Sequence, residues 1–166
     1  MPLTEIEILR DATEELNEAI RNEFSLQGHT LTGAAERSLQ AKIIRSGDRV
    51  DAIGEAVEYM QKLNDGVPTS EIKVTDQYVR ELANYVTLRM GYTGKKALKV
   101  AFLIARKHMM EGMPTEASSQ YSKTGERKGF FKAADDDPSN KTEQLIDTGI
   151  DRMMDAVFSK QQSETV

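Results

Sequence analysis

Apolar residues recur every three or four positions from Ile6 to Phe24. Ile6, Leu9, Leu16, Ile20 and Phe24 share one stripe, with Thr13 in the remaining slot. Glu5, Asp11, Glu15, Glu18 and Asn22 lie opposite, so the spacing predicts an amphipathic helix over Thr4–Phe24. Its start, Thr4-Glu5-Ile6-Glu7, has the form of a capping box, in which two side chains satisfy free backbone N–H groups. The stripe is narrow, which suits a seam against one neighbour. Beyond the loop Gln27–Gly33 and a turn at 34–37 the period falls to two. Leu39–Arg45 and Arg49–Gly54 alternate on either side of Ser46-Gly47-Asp48, the pattern of an antiparallel hairpin. A lone pair of strands is marginal in water, so the hairpin is expected to lean on helices or on a neighbouring subunit.

Helical spacing then returns. Ala56–Leu63 reads as a short helix closed by Asn64-Asp65-Gly66 and Pro68, and Val67–Val74 as a connection. Thr75 caps a helix running to Met90, with Val79, Leu82, Tyr85 or Val86, and Met90 inward. Gly91-Tyr92 breaks it, and Lys95–Met110 follows. Within that helix residues 100–105 are apolar almost all round, which predicts burial on every side. Residues 111–137 read as one long polar loop interrupted by Phe130-Phe131. Loops of more than roughly 15 residues are commonly functional, so this one is expected to meet a partner. The last helix, Ser139–Lys160, turns Ile146, Ile150, Met153 and Val157 inward, widened by Leu145, Met154 and Phe158. Asp135–Asp137 would complement its N-terminal dipole.

Composition narrows the functions available. A chain of 166 residues supports one domain with a real core. Eight methionines suit adaptable packing in a core or at a subunit interface. The net charge of −5 gives the whole molecule no bulk attraction to nucleic acid, so any DNA contact must come from a local patch. No cysteine is present, which removes disulfide and thiolate chemistry and argues against structural zinc. Residues 1–25 lack the basic start and apolar run of a secretory leader, and the longest apolar run, Val100–Ala105, is far too short to span a bilayer. The expected setting is therefore cytoplasmic, without a membrane.

Candidate chemistry is sparse. His108 and Glu111 have H-x-x-E spacing, but His29 is the only other histidine and lies far off in sequence. Gly91-Tyr92-Thr93-Gly94-Lys95-Lys96 lacks the spacing and the final hydroxyl of a phosphate loop, and no strand precedes it. Neither a catalytic set nor a metal or cofactor site is expected. Lys95, Lys96, Lys99, Arg106 and Lys107 make a basic side on the helix over 95–110, continued in sign by Lys123, Arg127 and Lys128. That side reads as a solvated face, a surface for an acidic neighbour, or a wall facing DNA.

The order of several short motifs resembles the phage head–tail joining family, whose members are also called tail-completion or neck proteins. Thr32-Gly33, then Arg37-Ser38-Leu39 leading into a strand, is similar to that family's T-G-x-L-x-x-S-I entry. Tyr59, Leu63-Asn64 and Gly66 look like its Y-A-x-x-x-E-x-G segment, with Asn64 in place of the glutamate. Arg127–Ala133 resembles its P-F-L-x-P-A element without the prolines. The likeness covers residues 1–66 and 125–160; residues 67–112 would be a helical insertion in a single domain.

The resemblance implies an α+β fold, a small antiparallel sheet or hairpin packed by several helices. It also implies a virion component without catalytic residues, assembled in the host cytoplasm as a homo-oligomeric ring between portal or adaptor and tail. The expected partner contacts are Ile43 and Ile44 on the hairpin, and Met113, Tyr121, Arg127, Lys128, Phe130 and Phe131 on the long loop. Lys95, Lys96, Lys99 and Arg106 would face an acidic partner or the DNA channel. A competing expectation is a small DNA-binding or regulatory protein that uses the basic helix.

Overall fold

The computed structural model describes residues 4–164, with side chains through residue 160. It has a helix-rich α+β architecture with a two-stranded antiparallel sheet. The elements in order are α1 (Glu5–Leu26), α2 (Ala34–Ser38), β1 (Gln40–Ser46), β2 (Arg49–Glu55), α3 (Glu58–Asp65), α4 (Asp76–Met90), α5 (Gly94–Glu111), α6 (Phe130–Asp135) and α7 (Thr142–Glu164). The chain divides into two compact units. One takes residues 1–23, 36–57 and 131–166, the other 24–35 and 58–130. The stretch 67–112 lies wholly in the second unit.

In the first unit the capping box forms as the motif demands. The Glu7 N–H donates to Thr4 Oγ1 at 3.3 Å, and the Thr4 N–H donates to Glu7 Oε2 at 2.8 Å. The bond from the Thr4 N–H, with another from the Thr4 hydroxyl to the same oxygen at 2.9 Å, holds the Glu7 carboxyl below its ordinary range. The buried side of α1 is broader than the sequence stripe. Ile8 and Ala12 flank it on one side and Asn17 on the other, all buried, while Ile6, Leu9 and Leu16 are half-buried. Arg21 anchors the next turn: its Nε donates to the Glu36 carbonyl at 3.1 Å and its Nη2 to that of Leu39 at 3.0 Å. At the other end of the chain α7 packs on α1 through Gly149, where a Cβ would stand 2.7 Å from both γ-carbons of Ile8. The Asp135–Asp137 run does not serve the dipole of α7. Asp135 ends α6, Asp136 pairs with Lys132, and Asp137 accepts from the Ser139 N–H and hydroxyl at 2.8 Å, so the helix starts only at Thr142.

The hairpin pairs Gln40 with Glu55 through to Ser46 with Arg49, leaving Gly47-Asp48 as the turn. Gly47 takes φ 61°, the left-handed conformation that a two-residue hairpin turn asks for. No residue of either strand is buried. Among the described residues neither outer edge pairs with a third strand.

The second unit is built on the α4–α5 helical hairpin. Thr75 caps α4 by accepting from the Tyr78 N–H at 3.1 Å, and Gly91 ends it with φ 72°. Val86 of α4 meets Ala97 and Ala101 of α5 at the centre, with Leu82, Tyr85, Val100 and Ile104 around them. The expected burial of 100–105 on all sides does not occur: Phe102 is 55% and Leu103 61% exposed. The reason lies in the alanines. Ala97, Ala101 and Ala105 recur at four-residue spacing on one face, where small side chains let two helices approach closely, and the large residues are left outside.

Candidate interaction surface

The polar stretch after α5 is folded down, not free. Val67 and Met113 exchange backbone hydrogen bonds at 2.7 and 2.8 Å, the Gly129 N–H donates to the Asn64 carbonyl at 2.8 Å, and the Lys123 N–H donates to that of Leu26 at 2.8 Å. Glycine makes two of these approaches possible. Gly66 (φ 78°) would carry its Cβ 2.7 Å from the Met113 carbonyl oxygen, and Gly28 (φ 74°) would carry one 2.3 Å from that of Tyr121. The excursion also contains structure of its own. A 3₁₀ turn over Glu116–Tyr121 satisfies its hydroxyls locally, with Ser118 Oγ donating to the Thr115 carbonyl at 2.6 Å and Ser119 Oγ to that of Glu116 at 2.8 Å. Phe130 opens α6. A continuous loop over 111–137 is thus replaced by two short helical turns and a set of backbone clamps. The Met113–Pro114 peptide is cis.

The loop residues expected to face a partner do different jobs. Phe130 is a correction: it is 0% exposed, edge-on to Phe24 with ring centroids 5.1 Å apart, and 5.6 Å from the His29 ring. Adjacent in sequence, Phe131 is half-buried and belongs to the first unit. Met113 serves the clamp, and its sulfur accepts from Tyr78 Oη at 3.6 Å. Arg127 is partly buried and donates from Nη1 to the Gly28 carbonyl at 3.4 Å; burial lowers its pKa. Tyr121 and Lys128 are exposed. On the hairpin, Ile44 is exposed and Ile43 half-buried. The hairpin residues lie in the first unit and the loop residues through Phe130 in the second.

Three polar anchors escaped the sequence reading, two holding the excursion and one holding the 27–33 loop. Gln27, buried, donates from Nε2 to the Lys128 carbonyl at 3.2 Å. His29 Nε2 lies 3.2 Å from the Arg127 carbonyl, which can only accept, so the proton sits on Nε2. Burial, reinforced by the Arg127 charge, pushes the His29 pKa down to about 4 and leaves the ring neutral near pH 7. Arg89 donates to the carbonyls of Thr30 and Gly28 at 2.8 and 3.2 Å. The polar run between two glycines, Gln27–Gly33, was the available signal, since such a run with little apolar content needs its polar groups satisfied from elsewhere.

His108 is buried on the inner face of α5, with Nδ1 2.6 Å from Tyr78 Oη. Burial lowers its pKa, which favours the neutral ring in this contact. This pair ties α4 to the end of α5. A surface groove of about 410 Å³ runs between α1 and α7, lined by Ile8, Asp11, Lys141, Leu145, Gly149 and Arg152 among others. Among the described residues no group of three or more His, Asp or Glu converges as metal ligands would, and no helix is long and apolar enough to cross a membrane.

Many of the exposed large apolar residues lie on two helices. The outer side of α5 exposes Leu98, Phe102, Leu103, Met109 and Met110, and that of α7 exposes Ile150, Met154, Val157 and Phe158. On α5, Lys96 sits 3.8 Å over the Tyr92 ring and Lys107 pairs with Glu111, whereas Lys95, Lys99 and Arg106 form no ion pair with a described residue. Large apolar residues clustered on the exposed side of a helix are a common mark of a site of association. No family model, curated protein or solved structure matches the chain.

Proposed function

We propose that this chain is a structural protein of a tailed-phage virion, a ring-forming component that joins the head, through portal or adaptor, to the tail, and that it performs no chemistry. The observation carrying the reading is the apolar surface left uncovered on α5 and α7, which a permanent assembly would bury. The open edges of the hairpin add strands able to pair with a neighbour. The virion assignment itself draws on the order of the Thr32-Gly33, Tyr59–Gly66 and Arg127–Ala133 motifs.

Light scattering and negative-stain microscopy of the purified chain, alone and mixed with portal and tail particles, test it. Rings, or a protomer that docks on either particle, are the expected result. A monomer that ignores both refutes the reading.

A second reading, a small DNA-binding or regulatory protein, draws on the exposed cations Lys95, Lys99 and Arg106. It requires duplex binding that weakens steeply with salt and is lost on Lys95→Glu/Lys99→Glu.

A further inference from the structure

The outer faces of α5 and α7 are built alike and charged oppositely. On α5 the apolar row Leu98, Phe102, Met109 runs beside the cationic row Lys95, Lys99, Arg106, all exposed. On α7 the apolar row Ile150, Met154, Val157 runs beside the acidic row Asp147, Asp151, Asp155, extended back by Glu143, and all are exposed. None of these seven charged groups forms an ion pair with a described residue. At ~100° per residue, the cations of α5 and Asp147, Asp151 and Asp155 of α7 lie roughly 60–90° round from these apolar rows in the same rotational sense, and on α5 the exposed Leu103 and Met110 flank the cations on their other side. The two rows also match in length, about 16 Å from Lys95 to Arg106 and about 18 Å from Glu143 to Asp155.

For the row Leu98, Phe102, Met109 that shared sense fixes an orientation. When two helices face each other in parallel, the flank on one hand of the first meets the opposite-hand flank of the second. In antiparallel pairing, same-hand flanks meet. Antiparallel contact through Leu98, Phe102 and Met109 therefore sets apolar row on apolar row and cations on carboxylates, with Lys95 and Lys99 toward the Asp151–Asp155 end and Arg106 toward Glu143–Asp147, whereas contact through Leu103 and Met110 would run parallel.

We propose that α5 of one copy docks antiparallel on α7 of a second copy. The proposal deepens the ring-component reading and rests on it. Two different patches are joined, so the contact is heterologous and repeats from copy to copy, closing a ring where the rotation allows. The alternating apolar residues on α5 favour a protein neighbour over DNA, whose phosphates would meet Leu98, Phe102 and Met109 as well as the cations.

Charge exchange in the full chain tests the contact. Lys95→Glu/Lys99→Glu leaves a chain with two acidic faces; Asp151→Lys/Asp155→Lys leaves one with two basic faces. All four positions are exposed, and circular dichroism checks that each variant folds. In light scattering over a concentration series, each variant alone should self-associate at least about tenfold more weakly than the unaltered chain. An equimolar mixture should regain association, because each acidic α5 then meets a basic α7 and each basic α5 an acidic α7.

If the unaltered chain associates but the variants alone match it, or the mixture regains nothing, the interface is overturned while the ring reading stands. An unaltered chain that stays monomeric also overturns it, and the ring reading falls with it only if that monomer ignores portal and tail particles. Salt-sensitive duplex DNA binding abolished by Lys95→Glu/Lys99→Glu, with self-association unchanged, would assign the face to nucleic acid instead.

Discussion

Replacing Phe130 by alanine should be far more damaging than replacing Phe131, though the two are neighbours in the chain. Phe130 has no exposed surface and stands edge-on to Phe24 with 5.1 Å between centroids. Truncating a fully buried phenylalanine costs about 3–5 kcal/mol, of which a favourable ring pair supplies about 0.5–1.5. Phe131 keeps some exposure, so roughly two-thirds or more of a side chain's transfer energy is at stake, about 1–2.5 kcal/mol. With a urea slope of about 2 kcal/mol per molar, the midpoint should fall by roughly 2 M for Phe130→Ala and roughly 1 M or less for Phe131→Ala. Because the chain has no tryptophan, far-ultraviolet circular dichroism is the natural readout. Phe130→Leu separates the contributions: it keeps most of the volume, loses the ring pair, and should fall between the two. Equal shifts, or a larger one for Phe131→Ala, would refute the assignment of Phe130 as the anchor of the excursion.

Three further outcomes follow from the geometry. Gly149→Ala should gain about 1 kcal/mol of helix propensity but lose about 1–3 to overpacking against Ile8, a net destabilisation. Adding Ile8→Ala should reduce that penalty in a double-mutant cycle, and a stabilising Gly149→Ala would show the α1–α7 approach to be looser than described. Gly28→Ala should destabilise by more than the ~1 kcal/mol of ordinary backbone effects, since it combines a positive φ with a clash on the Tyr121 carbonyl; a chevron or urea curve equal to that of the parent would disprove the clamp. For His29 the folded pKa, about 4, lies below the unfolded value near 6.5, so the unfolded chain binds the extra proton between them. Stability is full above pH 6.5 and declines as pH falls toward 4; the stability difference between the parent and His29→Gln should show that decline, and a flat difference curve would contradict it.

Much of the local structure was legible because its causes are local. The Thr4–Glu7 box, the Gly47-Asp48 turn, the Thr75 cap and the Gly91 stop are each written in three or four adjacent residues, and each forms. What went astray depends on approach between distant segments. Hydrophobicity alone sends Phe102 and Leu103 inward, but the contact on α4 is made by Ala97 and Ala101, whose small volume decides how near two backbones come. The excursion after Met110 read as open loop because its polar composition gives no period. Its order comes from carbonyls and amides paired with Leu26, Asn64 and Val67, which no pattern in the excursion itself encodes. Of the expected contact residues, Ile44, Tyr121 and Lys128 remain on the surface, while Phe130, Met113 and Arg127 are spent on holding the chain together.

The same mis-sorting of α5 carries the functional argument. A helix that buries alanines and exposes leucine, phenylalanine and methionine has its apolar character the wrong way round for a chain that stays alone in water, and α7 repeats the pattern with Ile150, Met154 and Val157 outside. Each helix also pays electrostatically. Glu143, Asp147, Asp151 and Asp155 stand at successive four-residue steps, three like-charge pairs each unfavourable by about 0.2–0.5 kcal/mol in an isolated helix. Lys95 and Lys99 add a pair of the opposite sign. Acids and bases mixed within each helix would have removed both penalties at no cost to either fold. Segregated by sign, the like charges repel within each helix, and the proposed contact of α5 on α7 of a second copy would offset that repulsion.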